Sequence, residues 1–274
     1  MANEILKVDE VQHIELEMLD FFQSVCKENQ IDYCLAYGSA LGAHRHGGFI
    51  PWDDDMDVYI KRKDCAKLFD LLDKSGKGRY KVFRPCETEG YNHPYAKLVD
   101  CATQIEEPKN VQVDGLGIFI DLFPCDFYIS SSRFTRIRIA LINIMNKVYC
   151  QMYVRSHQKD SPLIRGFWRL IAKMIPSGTA HIFIERLIEW RSAPDGPYIS
   201  CPYDADYLIP SSYIFPTKSA RFEAMDCCIP GHIDLYLSAM YGPDYMTPQK
   251  TKSAFHGVAR SLNDLEYNRS MSVE

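Results

Sequence analysis

Apolar residues recur at helical spacing along the first thirty positions, and the later segments carry patterns typical of strands. One stripe predicts a helix over residues 4–30: Ile5, Val8, Val11, Ile14, Met18, Phe22 and Val25. Strands are predicted over 31–37, 56–60, 80–83, 95–99 and 117–123, the last ending at Pro124. A short helix or turn is predicted over 40–47, broken by Gly47-Gly48, and a helix over 62–74. The alternation of these elements predicts an α/β or α+β core, and we expect the α+β class.

Residues 131–192 differ from this core in charge. They are predicted to be helical and contain eleven Lys or Arg residues against three acids, although the whole chain has a net charge of −5. The segment is either a helical insertion with a solvated basic face or a surface that meets an anionic glycolipid or the inner membrane face. We therefore divide the chain into a core over 1–130, a basic helical insertion over 131–200, and a C-terminal segment over 201–274 that completes the core.

The overall charge and the apolar pattern exclude several classes of protein. A net charge of −5 argues against a nucleic-acid partner. The N-terminus shows no basic region followed by an apolar one, and no window of 18 apolar residues is present. We therefore expect a cytoplasmic protein, with peripheral contact to the inner membrane face through residues 131–192 as the open question.

Four aspartates crowd into five positions: Asp53, Asp54, Asp55 and Asp57. Like charges this close repel one another, and a divalent cation is the usual compensation. Residues i and i+2 of a strand share a face, so Asp55 and Asp57 are expected to point the same way and Met56 the other way. Oxygen ligands of this kind suit Mg²⁺ or Mn²⁺.

A third carboxylate is needed from a neighbouring strand. Asp121 is the candidate because it stands alone among apolar residues, where a carboxylate is costly unless it is paired or metal-bound. An Asp held by backbone donors is the alternative. Asp126 competes with it, although beyond Pro124 it is expected to cap a turn. With Asp55 and Asp57, Asp121 would form a two-metal site for phosphoryl transfer, and Asp121 would also be the general base.

Smaller signals surround the acidic cluster. Gly38 and Ser39 follow a strand, where a glycine lets backbone amides approach a phosphate and a serine hydroxyl can donate to it. Arg45 and His46 are expected to contact phosphate or acceptor, or else to pair with the aspartates. Lys97 would neutralise phosphates, or form a structural ion pair with Asp100.

The stretch from Gly38 to Asp57, GSALGAHRHGGFIPWDDDMD, resembles the signature of the LicD family of phosphocholine transferases, which includes the fukutin-related proteins. Further similarity lies in Tyr95–Asp100, Ile120–Asp126 and near the C-terminus. The resemblance implies a nucleotidyltransferase-type mixed sheet flanked by helices, dependence on Mg²⁺, a CDP-alcohol donor such as CDP-choline, and a sugar acceptor of a cell-surface glycan or glycolipid. It also implies Asp55, Asp57 and Asp121 as metal ligands. His44 departs from the valine usual in the family.

Trp52 adjoins the acids and is either one wall of a cation–π cage for choline or a packing residue. Tyr241 and His256 belong to a C-terminal segment that would fold back over the site, with roles left open. Two other functions compete with transfer of a phospho-alcohol. One is the addition of a nucleoside monophosphate from an NTP to a small molecule, and the other is non-catalytic nucleotide binding. The presence of all three acids argues against the last.

Overall fold

The computed structural model describes residues 5–91, 93–106, 112–151, 170, 177–190, 193, 195–201, 207–248 and 258–262. Within these ranges helices and strands are mixed, so the predicted α+β class is confirmed. The division into core, insertion and C-terminal segment stays a prediction, and much of the basic insertion, residues 152–169 and 171–176, lies outside the described residues.

A mixed sheet forms the centre of the fold. Its strands are β1 (Tyr33–Leu35), β2 (Met56–Lys61), β3 (Tyr80–Phe83), β4 (Ala96–Asp100) and β6 (Phe119–Tyr128), in the order β1-β2-β6-β4-β3. β2 and β6 run parallel, while the other neighbours are antiparallel. Strands β7 (Tyr198–Ser200) and β8 (Ile209–Pro210) extend the sheet from the far half of β6.

Helices cover this sheet because each carries an apolar stripe. In α1 (Val8–Glu28) the stripe buries Val11, Met18, Phe22 and Val25, as its spacing predicts. Helix α2 (Tyr37–His46) ends at Gly47, which takes the left-handed conformation (φ 69°) that favours glycine. Helix α3 (Arg62–Gly76) buries Leu68 and Leu72. These three helices surround the strands that carry the aspartates.

The C-terminal part adds elements that the sequence pattern did not predict. Strands β9 (Lys218–Phe222) and β10 (Met225–Ile229) form a hairpin, followed by helix α6 (Ile233–Tyr241). Strand β11 (Val258–Ser261) pairs with β5 (Thr103–Glu106). Phe222, Ile229 and Leu237 are buried in the same hydrophobic core as the central sheet.

The prediction that Pro124 ends its strand is wrong, because β6 continues to Tyr128. Pairing with β4 stops at Leu122 and pairing with β7 starts at Asp126. Among the described residues, Pro124 therefore lies in an interval where only β2 pairs with the strand. A proline lacks a backbone N–H, and it is tolerated where one edge of a strand needs no hydrogen bond.

Two helices of the basic segment form a pair of their own: α4 (Arg133–Gln151) and α5 (Ser177–Glu189). They enclose a small separate core of Ile142, Tyr149, Ile184 and Ile188. Their connection to the sheet includes Arg62, which bridges Asp126 on β6 and Glu185 on α5. The helical prediction for this segment is thus confirmed over the described parts.

Candidate active site

A cavity of about 700 Å³ opens beside the central sheet. Its floor is formed by side chains of β2, β4 and β6, and one wall by the start of α2. Another part of the wall comes from the residues at and after the end of α6. The cavity-lining residues include Gly38, Arg45, Trp52, Asp53, Asp55, Asp57, Tyr95, Lys97, Phe119, Asp121, Met240, Tyr241 and Tyr245. Most of the candidates singled out from the sequence therefore share one space.

Three charged residues lie side by side on the cavity floor. The strand register places Asp57 of β2 opposite Asp121 of β6, and Asp121 opposite Lys97 of β4. All three are buried, at 8%, 7% and 2% exposed. Because β6 is the middle strand, Asp121 has a carboxylate on one side and an ammonium group on the other. This row follows from strand order, which the local sequence pattern does not contain.

Asp55 and Asp57 both line the cavity, whereas Met56 between them is fully buried in the core. The alternation of side chains along a strand predicted this arrangement. Backbone contacts hold Asp57 in place: its N–H donates to Ser39 Oγ at 2.9 Å, and its carbonyl accepts from Ala36 N–H at 2.9 Å. Ser39 is thus buried behind the cavity wall, where its contact is to Asp57.

The turn that carries the other aspartates is tied to α1. Gln12 Nε2 donates to the carbonyl of Asp53 at 2.8 Å, and Asp53 N–H donates to the carbonyl of Ile50 at 2.9 Å. These bonds fix the turn that leads into the consecutive aspartates 53–55. They keep Asp53 and Asp55 at the edge of the cavity although their charges repel.

The first turn of α2 faces the cavity at Gly38. A Cβ at this position would lie 2.8 Å from Asp53 Oδ2, so the glycine makes room for the acidic turn and exposes backbone to the cavity. Its neighbour Tyr37 has φ 42°, in the left-handed region that few side chains favour. The N–H of Tyr37 donates to Tyr236 Oη on α6 at 3.0 Å.

Tyr236 belongs to a buried network of hydroxyl groups. Its Oη lies 3.2 Å from Tyr59 Oη, which lies 2.7 Å from Tyr207 Oη, which in turn lies 3.5 Å from Tyr37 Oη. Burial is the main cause that raises the pKa of Tyr59, Tyr207 and Tyr236 far above that of an exposed tyrosine. These hydroxyls therefore stay neutral, and the network joins α6 and β2 to the strained start of α2.

Lys97 supplies the positive charge on the cavity floor. Its Nζ lies 2.5 Å from Asp121 Oδ1 and 3.3 Å from the centre of the Phe119 ring. Tyr95 Oη lies 3.4 Å from the other carboxylate oxygen, Asp121 Oδ2. The structural pairing of Lys97 with Asp100 is therefore wrong. Residues three apart on a strand point to opposite faces, and Asp100 pairs instead with Arg79 at 3.0 Å.

The donor set on the floor is of the kind that binds Mg²⁺ or Mn²⁺, since Asp55, Asp57 and Asp121 offer oxygen atoms to one cavity. Over the described part of the chain, however, no three Asp, Glu, His or Cys side chains are close enough to hold an ion as they stand. One oxygen of Asp121 is engaged by Lys97. The residues thus fit the ion in chemistry, and the metal site stays a prediction.

Glu15 is a buried acid that the sequence pattern did not single out. It lies on α1, is 1% exposed, and its Oε2 has no hydrogen-bond partner among the described residues. Burial first, and then the charges of Asp55, Asp54 and Asp53, raise the pKa of this carboxyl well above its ordinary value. A negative charge on Glu15 is therefore less favourable here than on an exposed glutamate.

The remaining candidates differ in position. Arg45 lines the cavity and donates to the carbonyl of Tyr245 at 3.0 Å, while His46 is exposed outside the lining and accepts from Arg45 Nε at 2.9 Å. Partial burial and the charge of Arg45 lower the pKa of His46. Trp52 both lines the cavity and packs against the core, so its two predicted roles, in a cation–π cage and in packing, are compatible.

Asp126 is not part of the cavity lining. The prediction that it caps a turn is wrong, because it lies within β6 and forms two hydrogen bonds with Arg62, at 2.5 and 2.9 Å. Burial raises the pKa of Asp126, and the charge of Arg62 opposes that change. This carboxylate joins the sheet to the α4–α5 pair through Arg62 and has no place in the candidate active site.

Sequence reasoning missed much of the aromatic lining. Phe119 and Phe123 come from β6, Tyr95 immediately precedes β4, and Tyr241 and Tyr245 come from the end of α6 and the turn after it. Tyr241, whose role was left open, is thus at the cavity wall. His256 lies outside the described residues. Alternation along β4 and β6 was the available signal for Tyr95 and Phe119, since each lies two residues from Lys97 or Asp121.

Comparison with known proteins extends the resemblance noted from the motif. Residues 30–141 match the model described as LicD/FKTN/FKRP, nucleotidyltransferase domain. The lipopolysaccharide cholinephosphotransferase LicD of Haemophilus influenzae is 35% identical over 122 residues, which are 44% of this chain and 45% of that protein. An uncharacterised protein of Rickettsia prowazekii is 44% identical over 45 residues, which are 16% of this chain and 17% of that protein.

The chain thus spans less than half the length of the curated relatives it matches. The matched region contains the acidic cluster, Lys97 and Asp121. The C-terminal wall of the cavity lies outside the match to the family model. The resemblance to the LicD family is confirmed for the part of the chain that carries the charged floor.

Proposed function

We propose that this chain is a transferase for a phospho-alcohol group, since its residues 30–141 match the LicD nucleotidyltransferase domain. The group would pass from a CDP-linked donor, CDP-choline first among them, to a sugar of a cell-surface glycan or glycolipid. The observation that supports this most is the aligned row of Asp57, Asp121 and Lys97 on the floor of one cavity. Such a row offers both anionic and cationic groups to a diphosphate.

The donor phosphates would lie between the start of α2 and Lys97. A helix N-terminus carries partial positive charge and free N–H groups, which favour phosphate. Gly38 in this turn has no side chain to keep a phosphate away, and Arg45 adds a second cation to the lining. Lys97 is held by Asp121 and Phe119, so its charge is fixed in position before a donor binds.

The alcohol part of the donor would contact the aromatic lining. A quaternary ammonium group cannot donate hydrogen bonds and is recognised by ring faces. Trp52, Tyr241 and Tyr245 supply rings to the same cavity as the charged floor. This chemistry favours choline over glycerol or ribitol, whose hydroxyls need polar partners.

In the proposed reaction the acceptor hydroxyl oxygen bonds to the phosphorus that bears the alcohol, and the bond from that phosphorus to CMP breaks. Asp121 Oδ2 would take the hydroxyl proton, since Asp121 Oδ1 accepts from Lys97. Asp55, Asp57 and Asp121 would hold Mg²⁺ or Mn²⁺. The bound ion would supply positive charge that neutralises the phosphates and the leaving group. Lys97 would contribute a further positive charge beside the transferring group.

A donor screen tests this proposal. Purified protein with Mg²⁺ and cell-envelope glycan is incubated separately with CDP-choline, CDP-ethanolamine, CDP-glycerol, CDP-ribitol and nucleoside triphosphates. Release of CMP and of pyrophosphate is then measured. We expect CMP from CDP-choline, abolished by a chelator. Pyrophosphate from a triphosphate would instead identify a nucleotidyltransferase, and no release from any donor would contradict catalysis.

The aromatic lining can be tested separately with Trp52→Leu. If Trp52 contacts the choline group, KM for CDP-choline should rise by roughly five- to thirtyfold, as expected for a desolvated cation–π contact. Use of CDP-glycerol, which has no ammonium group, is the control and should change little. An equal effect on both donors would assign Trp52 to packing alone.

A further inference from the structure

The outward face of helix α4 is apolar. Four of its residues, three or four positions apart, are between 44% and 55% exposed: Phe134, Ile137, Leu141 and Ile144. Spacing of this kind places side chains on one face of a helix. A different face of α4 already packs against α5 through Ile142 and Tyr149. A surface helix normally turns polar residues outward, so α4 has a second apolar face that its partner helix does not cover.

The stripe extends to the end of α5. The Phe134 ring meets the Trp190 ring edge-on at 5.6 Å between centres. Ile182 and Phe183 of α5 are also about half exposed, at 54% and 48%. The exposed apolar residues thus involve both helices of the pair and not a single side chain.

The charges that α4 itself carries are of one sign. Arg133 and Arg136 are exposed in the first turn of α4, and the helix contains no Asp or Glu. Basic residues at a helix N-terminus are unfavourable because they meet the positive end of the helix dipole. Their placement therefore does not serve the stability of the helix, whereas it suits an anionic partner.

We propose that the outward face of α4 docks flat on the surface of an anionic lipid bilayer. Its apolar stripe would enter the boundary between headgroups and acyl chains, and Arg133 and Arg136 would contact the headgroups. The stripe from Phe134 to Ile144 is about 15 Å long at the rise of an α-helix, which suits an in-plane orientation. Among the described helices none is long and apolar enough to cross a membrane.

A second copy of the chain fits this face less well. In a twofold dimer the same patch meets itself, and α4, which contains no acid, offers no partner for the charges of Arg133 and Arg136. An anionic surface supplies such partners. Docking of this kind does not depend on which donor the cavity binds, and it would hold the chain where glycolipid sugars are found.

Vesicle co-sedimentation tests the proposal with the full chain. Vesicles of phosphatidylcholine mixed with phosphatidylglycerol are compared with vesicles of pure phosphatidylcholine. We expect binding to the anionic vesicles, weakened by added salt. The charge-reversal variant Arg133→Glu/Arg136→Glu should lower the partition coefficient by about thirtyfold or more, since each basic residue near such a surface contributes about a factor of five.

Matched variants separate docking from general damage. Lys67→Glu/Lys74→Glu makes the same change of charge at exposed positions of α3 and should leave binding unchanged. Leu141→Gln should weaken binding, while Leu235→Gln should not, although the two leucines are 47% and 48% exposed. Circular dichroism checks that each variant is folded.

Three results would overturn the proposal. The first is absence of binding to anionic vesicles by the unmodified chain. The second is equal loss in the α3 control, which would indicate only a dependence on net charge. The third is a dimer in light scattering that Leu141→Gln dissociates without any vesicle binding, which would assign the face to a second copy.

Discussion

Removal of the Lys97 charge should show how strongly the floor of the cavity depends on one cation. Lys97→Met keeps the length and apolar stem of the side chain and deletes the ammonium group. Nζ of the lysine is 2.5 Å from Asp121 Oδ1, and the residue is 2% exposed. The substitution therefore leaves Asp121, itself 7% exposed, without its cation and beside Asp57.

The magnitude follows from burial. Breaking a buried ion pair by removing one partner costs about 3–5 kcal/mol, because the remaining charge is uncompensated. Asp121 lines the cavity, where water can reach it, so we expect the lower end, about 3 kcal/mol. For a domain of this size that corresponds to a decrease in Tm of roughly 6–12 °C.

Unfolding by urea and by heat, both in the presence of a chelator, measures this loss. Lys61→Met is the matched control, because Lys61 forms a 2.9 Å ion pair with Asp32, which is 66% exposed. A pair of that kind contributes about 0–1 kcal/mol. The double variant Lys97→Met/Asp121→Asn should recover part of the loss, since the neutral amide no longer needs the cation.

The reasoning would be refuted if Lys97→Met lowered the free energy of unfolding by less than about 1 kcal/mol, as Lys61→Met is expected to do. A double variant as unstable as Lys97→Met alone would also refute it, because the cost would then come from packing and not from charge. If the aspartates bind Mg²⁺, its addition should reduce the difference in the free energy of unfolding between Lys97→Met and the unmodified protein.

Two further predictions concern the supports of the cavity. Tyr236→Phe removes the acceptor of the Tyr37 N–H, so we expect a loss of about 1–3 kcal/mol in the free energy of unfolding and a KM for the donor that rises more than kcat falls. An unchanged KM would limit the tyrosine network to stability. Glu15→Gln should stabilise the protein at neutral pH and not near pH 4. A carboxyl with a raised pKa binds its proton more tightly in the folded state, so the stability of the unmodified protein falls as pH rises from about 4.5 towards that pKa, and the amide is free of this loss. A difference in the free energy of unfolding that stays constant across pH 4–8 would contradict the raised pKa of Glu15.

Local patterns predicted the elements near the acidic cluster well, because these elements bury one face each. The helix at the N-terminus and strands β2 and β3 follow from spacing alone. Strand β6 was cut short at Pro124, since a proline normally ends pairing. Whether a proline is tolerated depends on which strands lie beside it, and that information is long-range.

The candidate site also has one part that the local sequence pattern predicts and one part that it does not. Asp55 and Asp57 share a face because of the period of a strand, which the sequence contains. The position of Lys97 next to Asp121 depends on the strand order β2-β6-β4, which periodicity does not give. The alternative prediction for Lys97, a structural ion pair, had placed it with Asp100, three residues further along the chain.

The C-terminal wall of the cavity could not be predicted from the sequence for a related reason. The bond from Tyr37 N–H to Tyr236 joins residues 199 positions apart, and tyrosines are common in ordinary cores. Only the similarity near the C-terminus had suggested that this segment folds back over the site. The contacts of Tyr236 supply the physical cause.

The most direct test of the proposed function compares Asp57→Asn with Asp54→Asn in release of CMP from CDP-choline. Both substitutions remove one charge from the same cluster, but Asp57 lines the cavity floor and Asp54 is not among the lining residues. We predict that Asp57→Asn lowers kcat/KM by roughly a thousandfold or more, as expected when a metal ligand is lost, with the fold retained, and that Asp54→Asn changes it little. Activity of Asp57→Asn equal to that of Asp54→Asn would contradict the assignment of the cavity floor as the catalytic site.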